Sequence, residues 1–377
     1  MSKSSIPLGK IFGVSLRLHY SWFIIFPLIT WTLSAVYFPA TYPEWSMALK
    51  IGAGLLTSFL YFSSVVIHEL SHSLVAIREG IQIESITLFF LGGVSQMKSE
   101  PKTAGDEFRM AVAGPLSSLI LGGIFLGLYF TLNGSTDLTA QFVAAVAFYI
   151  GYINVFLGVF NLIPGFPLDG GRVFRSIIWG ISKDYQKSTK IASYIGRAFG
   201  YAFIAAGLFL IFAGDFYNGV WLALIGWFLT NAAIGSYSQM LIQDLLKGHT
   251  AGEIMSHECT AVPPGMPIES FVNEIMLNSA GRCYPVISDD LAEGLITLSD
   301  VKAIPRDEWS STPVRQAMTP IDKVIAVSPG EELSKVLQIM AENDINQVPV
   351  IEEQKIVGMI ARDSIINFIH VRSQLIK

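Results

Sequence analysis

Phe59-Leu60-Tyr61-Phe62-Ser63-Ser64-Val65-Val66-Ile67-His68-Glu69-Leu70-Ser71-His72-Ser73-Leu74-Val75-Ala76 is the stretch on which the reading of this chain turns. It closes a run, residues 51–76, whose only charged or imidazole side chains are His68, Glu69 and His72. A run that long and that apolar can span a bilayer as a helix. Positions i and i+4 share one helical face. His68 and His72 can therefore put two imidazoles on one metal ion, with Glu69 beside them to polarise a bound water. H-E-x-x-H is short enough to arise by chance in a soluble chain. At membrane depth three ionisable residues are costly, and they point to a membrane-embedded zinc site over a buried polar cluster that pairs with other helices.

Composition agrees with the setting. Of 377 residues, 51% are hydrophobic and only 15% charged, and the mean hydropathy is +0.50. Those values exclude an ordinary soluble protein. The net charge of −5 gives no sign of a nucleic-acid partner. The long apolar runs lie in residues 1–247, read as a membrane domain, while residues 250–377 read as a soluble one. Cys259 and Cys283, both in the soluble part, make no disulfide framework and fit a reducing compartment. Lys3, Lys10 and Arg17 precede the first apolar run, and no small-residue cleavage site follows it, so that run is read as a retained span.

Six spans are expected, at residues 20–39, 51–77, 110–132, 140–162, 198–213 and 220–242, the fifth being short. Lys and Arg cluster before span one, between spans two and three, between spans four and five, and after span six at Lys247. The opposite loops offer only Lys50 against Glu44, Asp137 and Asp215. This bias puts both termini and the long loops in the cytoplasm. Span two then runs inward. His72 lies six residues before Arg78, or roughly 9 Å at about 1.5 Å per residue, so the motif sits inside the membrane near its cytoplasmic side.

A third ligand must reach that depth, and span four also runs inward. Residues 138–168 hold no charge, and the run ends in Asn161-Leu162-Ile163-Pro164-Gly165-Phe166-Pro167-Leu168-Asp169-Gly170-Gly171-Arg172. The prolines break the helix and the glycines permit tight turns, an irregularity tolerated at membrane depth only where it is buried or lines a wet cavity. Taken alone, Asp169 reads as a turn-capping residue or a partner of Arg172. With H-E-x-x-H at matching depth it becomes the third ligand. Two histidines and one carboxylate leave zinc an open position for water, as catalytic sites do.

These motifs carry a resemblance. H-E-L-S-H in an inward span, Ala113-Gly114-Pro115-Leu116-Ser117 in the third, and N-x-x-P-x-x-P-L-D-G-G ending the fourth resemble the site-2 protease family of intramembrane zinc metalloproteases. The resemblance covers about residues 10–197. It implies that His68, His72 and Asp169 bind zinc and that Glu69 is the catalytic acid/base. Leu88-Phe89-Phe90-Leu91-Gly92-Gly93-Val94-Ser95 is similar to the family's membrane-dipping strand segment, whose edge could hold an unwound substrate. A cytoplasmic hairpin anchored by Phe89 and Phe90 is the other reading. Asn161 matches a family asparagine near the metal, where its amide could hold a peptide carbonyl or developing oxyanion; it could equally bond carbonyls freed by Pro164. Asn154 reads as an interhelical hydrogen-bonding residue, and His19, beside Tyr20 and Trp22, as interfacial. Gly122, Gly123 and Gly127 read as close helix contacts.

The soluble part repeats itself at an offset of about 64 residues. Tyr284-Pro285-Val286-Ile287 answers Val348-Pro349-Val350-Ile351, and Gly294-Leu295-Ile296-Thr297 answers Gly358-Met359-Ile360-Ala361. Helical periodicity at Ile268, Val272, Ile275 and Met276 answers that at Leu333, Val336, Leu337 and Met340. A β-α-β-β-α order in each repeat, at about 250–308 and 313–373, resembles a tandem CBS pair. That family's nucleotide signature, G-x-x-T-x-x-D, stands as Gly294, Thr297 and Asp300. In the second repeat Ala361 and Ser364 hold the threonine and aspartate positions, with Asp363 one place early, so one functional cleft is expected.

The expected fold is thus a polytopic α-helical membrane protein with a membrane-dipping strand segment, plus a cytoplasmic α/β tandem CBS module. The expected function is zinc-dependent hydrolysis of a peptide bond in a transmembrane segment near the cytoplasmic side of the inner or plasma membrane. By the resemblance, an adenine nucleotide such as ATP or AMP would regulate it through the CBS pair, which would also form a homo-oligomer. The substrate would be a single-spanning membrane protein in the lipid bilayer, such as an anti-sigma factor or membrane-tethered regulator. The competing readings are a CBS-regulated membrane transporter and a catalytically inactive membrane sensor. Spans uncharged everywhere except at 68–72 count against the first, and the intact motif against the second.

Overall fold

The computed structural model describes residues 5–90, 92–97, 99–257, 260–279, 283–288, 291–353 and 355–375. Lys3, Leu91, Lys98 and Cys259 lie outside the described residues. The chain divides into two compact units, Met1–Met240 and Leu241–Lys377.

The first unit opens with strands β1 (Ser5–Ile11) and β2 (Val14–His19), followed by helices α1 (Trp22–Thr32) and α2 (Phe38–Thr41) joined by a π-helical turn. Helix α3 (Met47–Arg78), strands β3 (Ile83–Phe89) and β4 (Gly92–Met97), and helices α4 (Ala104–Leu132) and α5 (Leu138–Asn161) come next. Helices α6 (Asp169–Ser182), α7 (Tyr185–Phe212) and α8 (Phe216–Leu246) complete the order. Among the described residues six segments are long and apolar enough to cross a membrane: Trp22–Thr41, α3, α4, α5, α7 and α8. Helices suit this role because every interior backbone group is satisfied within the segment. The entrances are capped from the sequence: Thr103 accepts from Asp106 N, Asp137 from Ala140 N and Asp184 from Lys187 N.

Five of the expected spans are longer as helices, and two show why. The fifth, expected at 198–213, is the later half of α7, whose first turns hold Lys187, Lys190 and Arg197. The third begins at Ala104 rather than at residue 110. In both, an apolar run marks what the membrane needs, and the helix continues through charged turns beyond it.

The strands form one sheet in the order β1-β2-β3-β4. β2 and β3 are parallel, Arg17 opposite Thr87, and β3 and β4 antiparallel, Leu88 opposite Gly93. The β1–β2 hairpin was not expected, since Lys10 and Arg17 read only as a basic flank. Leu18, Val65 and Leu88 share a buried cluster, which packs the sheet on α3. β4 is an edge strand and packs against α3 over the motif turn.

In the second unit come α9 (Ala251–Ile254), α10 (Ile268–Ser270), β5 (Cys283–Ser288), β6 (Leu291–Thr297), α11 (Leu298–Lys302), α12 (Val314–Ala317) and β7 (Thr319–Pro320). Helix α13 (Leu333–Glu342), β8 (Gln347–Glu352), β9 (Lys355–Ala361) and α14 (Arg362–Leu375) follow. The first strand expected in each repeat is reduced to a single parallel bridge, Val262 with Val286 and Val327 with Val350. Each repeat has its own core, and the cores interlock. Ala251, at the start of the first repeat, packs into the core of the second, while Val314, at the start of the second, packs into that of the first. Leu246 joins the second repeat's core, which is why the division between units falls at 240 rather than at the 247–250 expected from charge.

Candidate metal centre

His68 and His72 stand one turn apart on α3, and Asp169 is the first residue of α6. Three atoms converge. His68 Nε2 is 3.1 Å and His72 Nε2 3.2 Å from Asp169 Oδ2, and the two Nε2 atoms are 3.3 Å apart. Among the described residues no other group of three His, Cys, Asp or Glu donors comes together this way.

The far side of the His72 ring sets its tautomer. His72 Nδ1 donates to the Met110 carbonyl at 2.7 Å. A carbonyl only accepts, so Nδ1 carries the proton and Nε2 of the neutral ring presents a lone pair. His68 Nδ1 lies 2.9 Å from Ser118 Oγ, which accepts in the same tautomer. Two lone pairs and a carboxylate oxygen at these distances repel unless a cation sits among them. Nitrogen and oxygen ligands of one tetrahedral zinc, each about 2.0–2.1 Å from it, stand roughly 3.3–3.4 Å apart. The donor triangle has that size.

The neighbouring helix leaves the space open. A Cβ on Gly114 of α4 would fall 2.1 Å from His72 Nε2 and 2.7 Å from His68 Nε2. Any side chain there would occupy the point on which the imidazoles converge. Donor set, tautomers and missing Cβ all fit zinc.

Asp169 reaches the imidazoles because the chain before it folds back tightly. A Cβ on Gly170 would fall 2.3 Å from the Leu162 carbonyl oxygen, and one on Gly171 would fall 2.4 Å from the Gly165 carbonyl carbon. Glycine at both positions lets α6 start against its own approach loop. An acidic residue in the first helical turn is also favoured by the helix dipole. Arg172 does not pair with Asp169; its guanidinium faces Glu100 at 3.9 Å.

Glu69, next to His68 on α3, lies under β4. A Cβ on Gly93 would fall 2.4 Å from Glu69 Cγ, so only a glycine lets the strand pass the carboxylate this closely. One turn on, Ser73 Oγ is 2.9 Å from Ser95 Oγ, tying β4 to the same helix. Gly92 takes a positive φ of 138°, which glycine adopts freely. Phe90 is exposed, and its N–H donates to Ser21 Oγ.

Asn161 is the last residue of α5, half-buried, at the start of the loop to Asp169. Asn154 departs from expectation. It is fully buried, but its amide donates to Ile150 O of its own helix rather than to a neighbour. Of the three glycines read as helix contacts only Gly122 is one, packed on Val155 and Gly151; nothing approaches Gly123 or Gly127. His19 stands outside the donor cluster, with Nδ1 2.9 Å from Ser21 Oγ.

In the second unit Thr297 and Asp300 form a reciprocal cap on α11. Asp300 Oδ2 accepts from Thr297 N at 2.8 Å and Oγ1 at 2.7 Å. Gly294 lies against β7, where a Cβ would meet the Thr319 carbonyl.

Comparison with known proteins follows the same division. The model of peptidase family M50 matches residues 56–146 and 133–203, and the CBS domain model matches residues 251–306 and 314–371. The chain is 34% identical to the candidate zinc metalloprotease sll0528 of Synechocystis over 96% of this chain and 95% of that one. It is 32% identical to zinc metalloprotease MJ0392 of Methanocaldococcus jannaschii, again over 96% and 95%. The solved structure of the Site-2 Protease from that archaeon aligns at 33% identity and TM-score 0.41, covering 62% of this chain and 95% of that one.

Proposed function

The chain belongs to peptidase family M50, the site-2 proteases, and we propose that it is a zinc endoprotease cleaving peptide bonds within the membrane. One observation carries this reading. The Nε2 atoms of His68 and His72 and Oδ2 of Asp169 converge on a point that Gly114 leaves free, with Glu69 one residue away.

A zinc ion held there supplies Lewis acidity toward the scissile carbonyl and lowers the pKa of a water from about 15.7 toward about 7. Glu69 takes a proton from the attacking water as its oxygen adds to the peptide carbonyl carbon. It then returns that proton to the nitrogen as the C–N bond breaks. One water is consumed, and one new carboxyl and one new amine leave. Met110 and Ser118 keep the imidazoles turned inward throughout. The Asn161 amide would donate to the developing oxyanion.

A transmembrane helix hides its carbonyls in its own hydrogen bonds, so the substrate must unwind before cleavage. The open edge of β4, with Gly92 and Gly93 beside Glu69, would pair an extended segment and hold it at the site. By the Lys and Arg bias, α3 and α5 both run inward, so cleavage falls near the cytoplasmic side of the inner or plasma membrane. The substrates are single-spanning membrane proteins, in the manner of anti-sigma factors or membrane-tethered regulators.

The CBS pair binds an adenine nucleotide such as ATP or AMP at Gly294, Thr297 and Asp300 and couples it to proteolysis, with oligomerisation through the same module. The intact Gly294, Thr297, Asp300 signature of the first repeat supports one such cleft. The deciding experiment is comparative proteomics of cells carrying the wild type or Glu69→Gln. Single-spanning proteins should accumulate uncut with the variant, and identical membrane peptide profiles would count against the protease reading.

A further inference from the structure

The site-2 chemistry makes no use of the buried pair Glu107–Arg175. Glu107, in the first turns of α4, is 0% exposed, and Arg175 of α6 is 4% exposed. Arg175 Nε donates to Glu107 Oε1 at 2.8 Å, and its Nη2 contacts the same oxygen. The guanidinium also lies over two rings, 5.0 Å from the centre of Phe166 and 4.6 Å from that of Tyr185. Its Nη1 donates to Thr189 Oγ1 of α7. One side chain thus touches α4, the loop ahead of α6 and the start of α7.

Stability alone is a poor reason for such a pair. Desolvation offsets most of the Coulomb gain, and apolar replacements of matching volume are often neutral or better. What a buried pair supplies, with two guanidinium N–H groups gripping one carboxylate oxygen, is a fixed geometry. Its two ends lead to the metal centre. Met110, whose carbonyl orients His72, is one helical turn beyond Glu107. Asp169 opens the helix that carries Arg175, and Phe166 belongs to the loop that delivers it. Helix α6 is short and lies outside the six membrane-crossing segments, so its placement rests on contacts of this kind.

We propose that the Glu107–Arg175 pair is a positioning device that locks α6 to α4 and thereby holds the Asp169 carboxylate against the two imidazoles. The inference rests on the reading of His68, His72 and Asp169 as a zinc site. Breaking the pair lets the first turn of α6 drift away from α3, so zinc is held by two well-placed ligands and one displaced one. Partners of metal ligands typically contribute about 10- to 100-fold in metal affinity.

The test uses full-length protein in lipid nanodiscs, with zinc affinity read by chelator competition and ligand geometry by the visible spectrum of the cobalt-substituted form. Arg175→Met, which still packs between the rings, should bind zinc at least tenfold more weakly and shift the cobalt bands. Arg175→Lys, which keeps the charge and loses the fork, should recover part of the affinity. The double variant Glu107→Leu/Arg175→Met removes both buried charges, so it should fold even where a single variant does not, and it should still bind zinc weakly. Arg109→Met, which breaks an exposed pair with Glu79, should leave both readouts unchanged. Wild-type affinity and spectrum in Arg175→Met or in the double variant would overturn the proposal while leaving the zinc site standing. A wild-type protein that binds no zinc would overturn both.

Discussion

Gly114 on α4 faces His72 on α3 so closely that a single added methyl carbon would stand 2.1 Å from the imidazole Nε2. The helix next to the motif is therefore shaped around the converging imidazoles, and the two expected motifs are completed by a third element whose contribution is empty space.

This makes Gly114→Ala an incisive substitution. Alanine is the better helix former by about 1 kcal/mol, so the helix itself should not suffer. Zinc affinity should fall at least tenfold, measured by chelator competition, with the protein still folded. Wild-type zinc binding by the alanine variant would mean that the ion does not sit where the imidazoles converge.

Asp169→Asn exchanges an anionic donor for a neutral amide of the same shape. Zinc affinity should drop by about a hundredfold, the upper end of what even outer partners contribute, and cleavage should fall with it. If metal content at sub-micromolar free zinc equals that of the wild type, Asp169 is not a ligand.

Gly93 separates strand placement from metal binding. It has no positive φ, so valine is conformationally permitted, but its Cβ would collide with Glu69 Cγ. Gly93→Val should keep its zinc and lose at least tenfold in cleavage of a single-spanning substrate, because β4 and the carboxylate are pushed apart. Undiminished cleavage would show that β4 need not lie on Glu69.

The proposed nucleotide cleft is tested apart from the membrane chemistry. Thr297→Ala removes one half of the cap on α11, costing about 1 kcal/mol of local stability, and one proposed phosphate contact. Isothermal titration with ATP and with AMP should show binding to the wild type and at least tenfold weaker binding to Thr297→Ala and Asp300→Asn. Equal affinities in all three would move the ligand site elsewhere or remove it.

The residues proposed as metal ligands were legible because charge is so sparse in this chain. Against an apolar background His68, Glu69, His72 and Asp169 stand out singly, and the Lys and Arg bias gives the depth expected of them. Where charge is paired off inside the fold that signal fails: Glu107 and Arg175 are 68 residues apart and look like ordinary flanking charges of apolar runs. The extra turns of α4 and α7 were missed for the same reason, since hydropathy marks the membrane and not the helix. Gly114 was visible only as part of a motif. Nothing in sequence says that a Cβ is missing because an ion needs the room. The β1–β2 hairpin went unread because its basic residues were already explained as topology signals, and its pairing with β3 is set by distant packing of Leu18 on Val65 and Leu88.

The central claim is that Glu69 does proton-transfer chemistry at a zinc ion held by His68, His72 and Asp169. The most direct measurement takes purified wild type and Glu69→Gln in nanodiscs and reads zinc per chain alongside cleavage of a reconstituted single-spanning substrate. One zinc per chain is expected in both, with cleavage by the variant reduced by about 10²- to 10⁴-fold, the usual contribution of a general acid/base. A Glu69→Gln protein that cleaves like the wild type, or a wild type that cleaves without zinc, would contradict it.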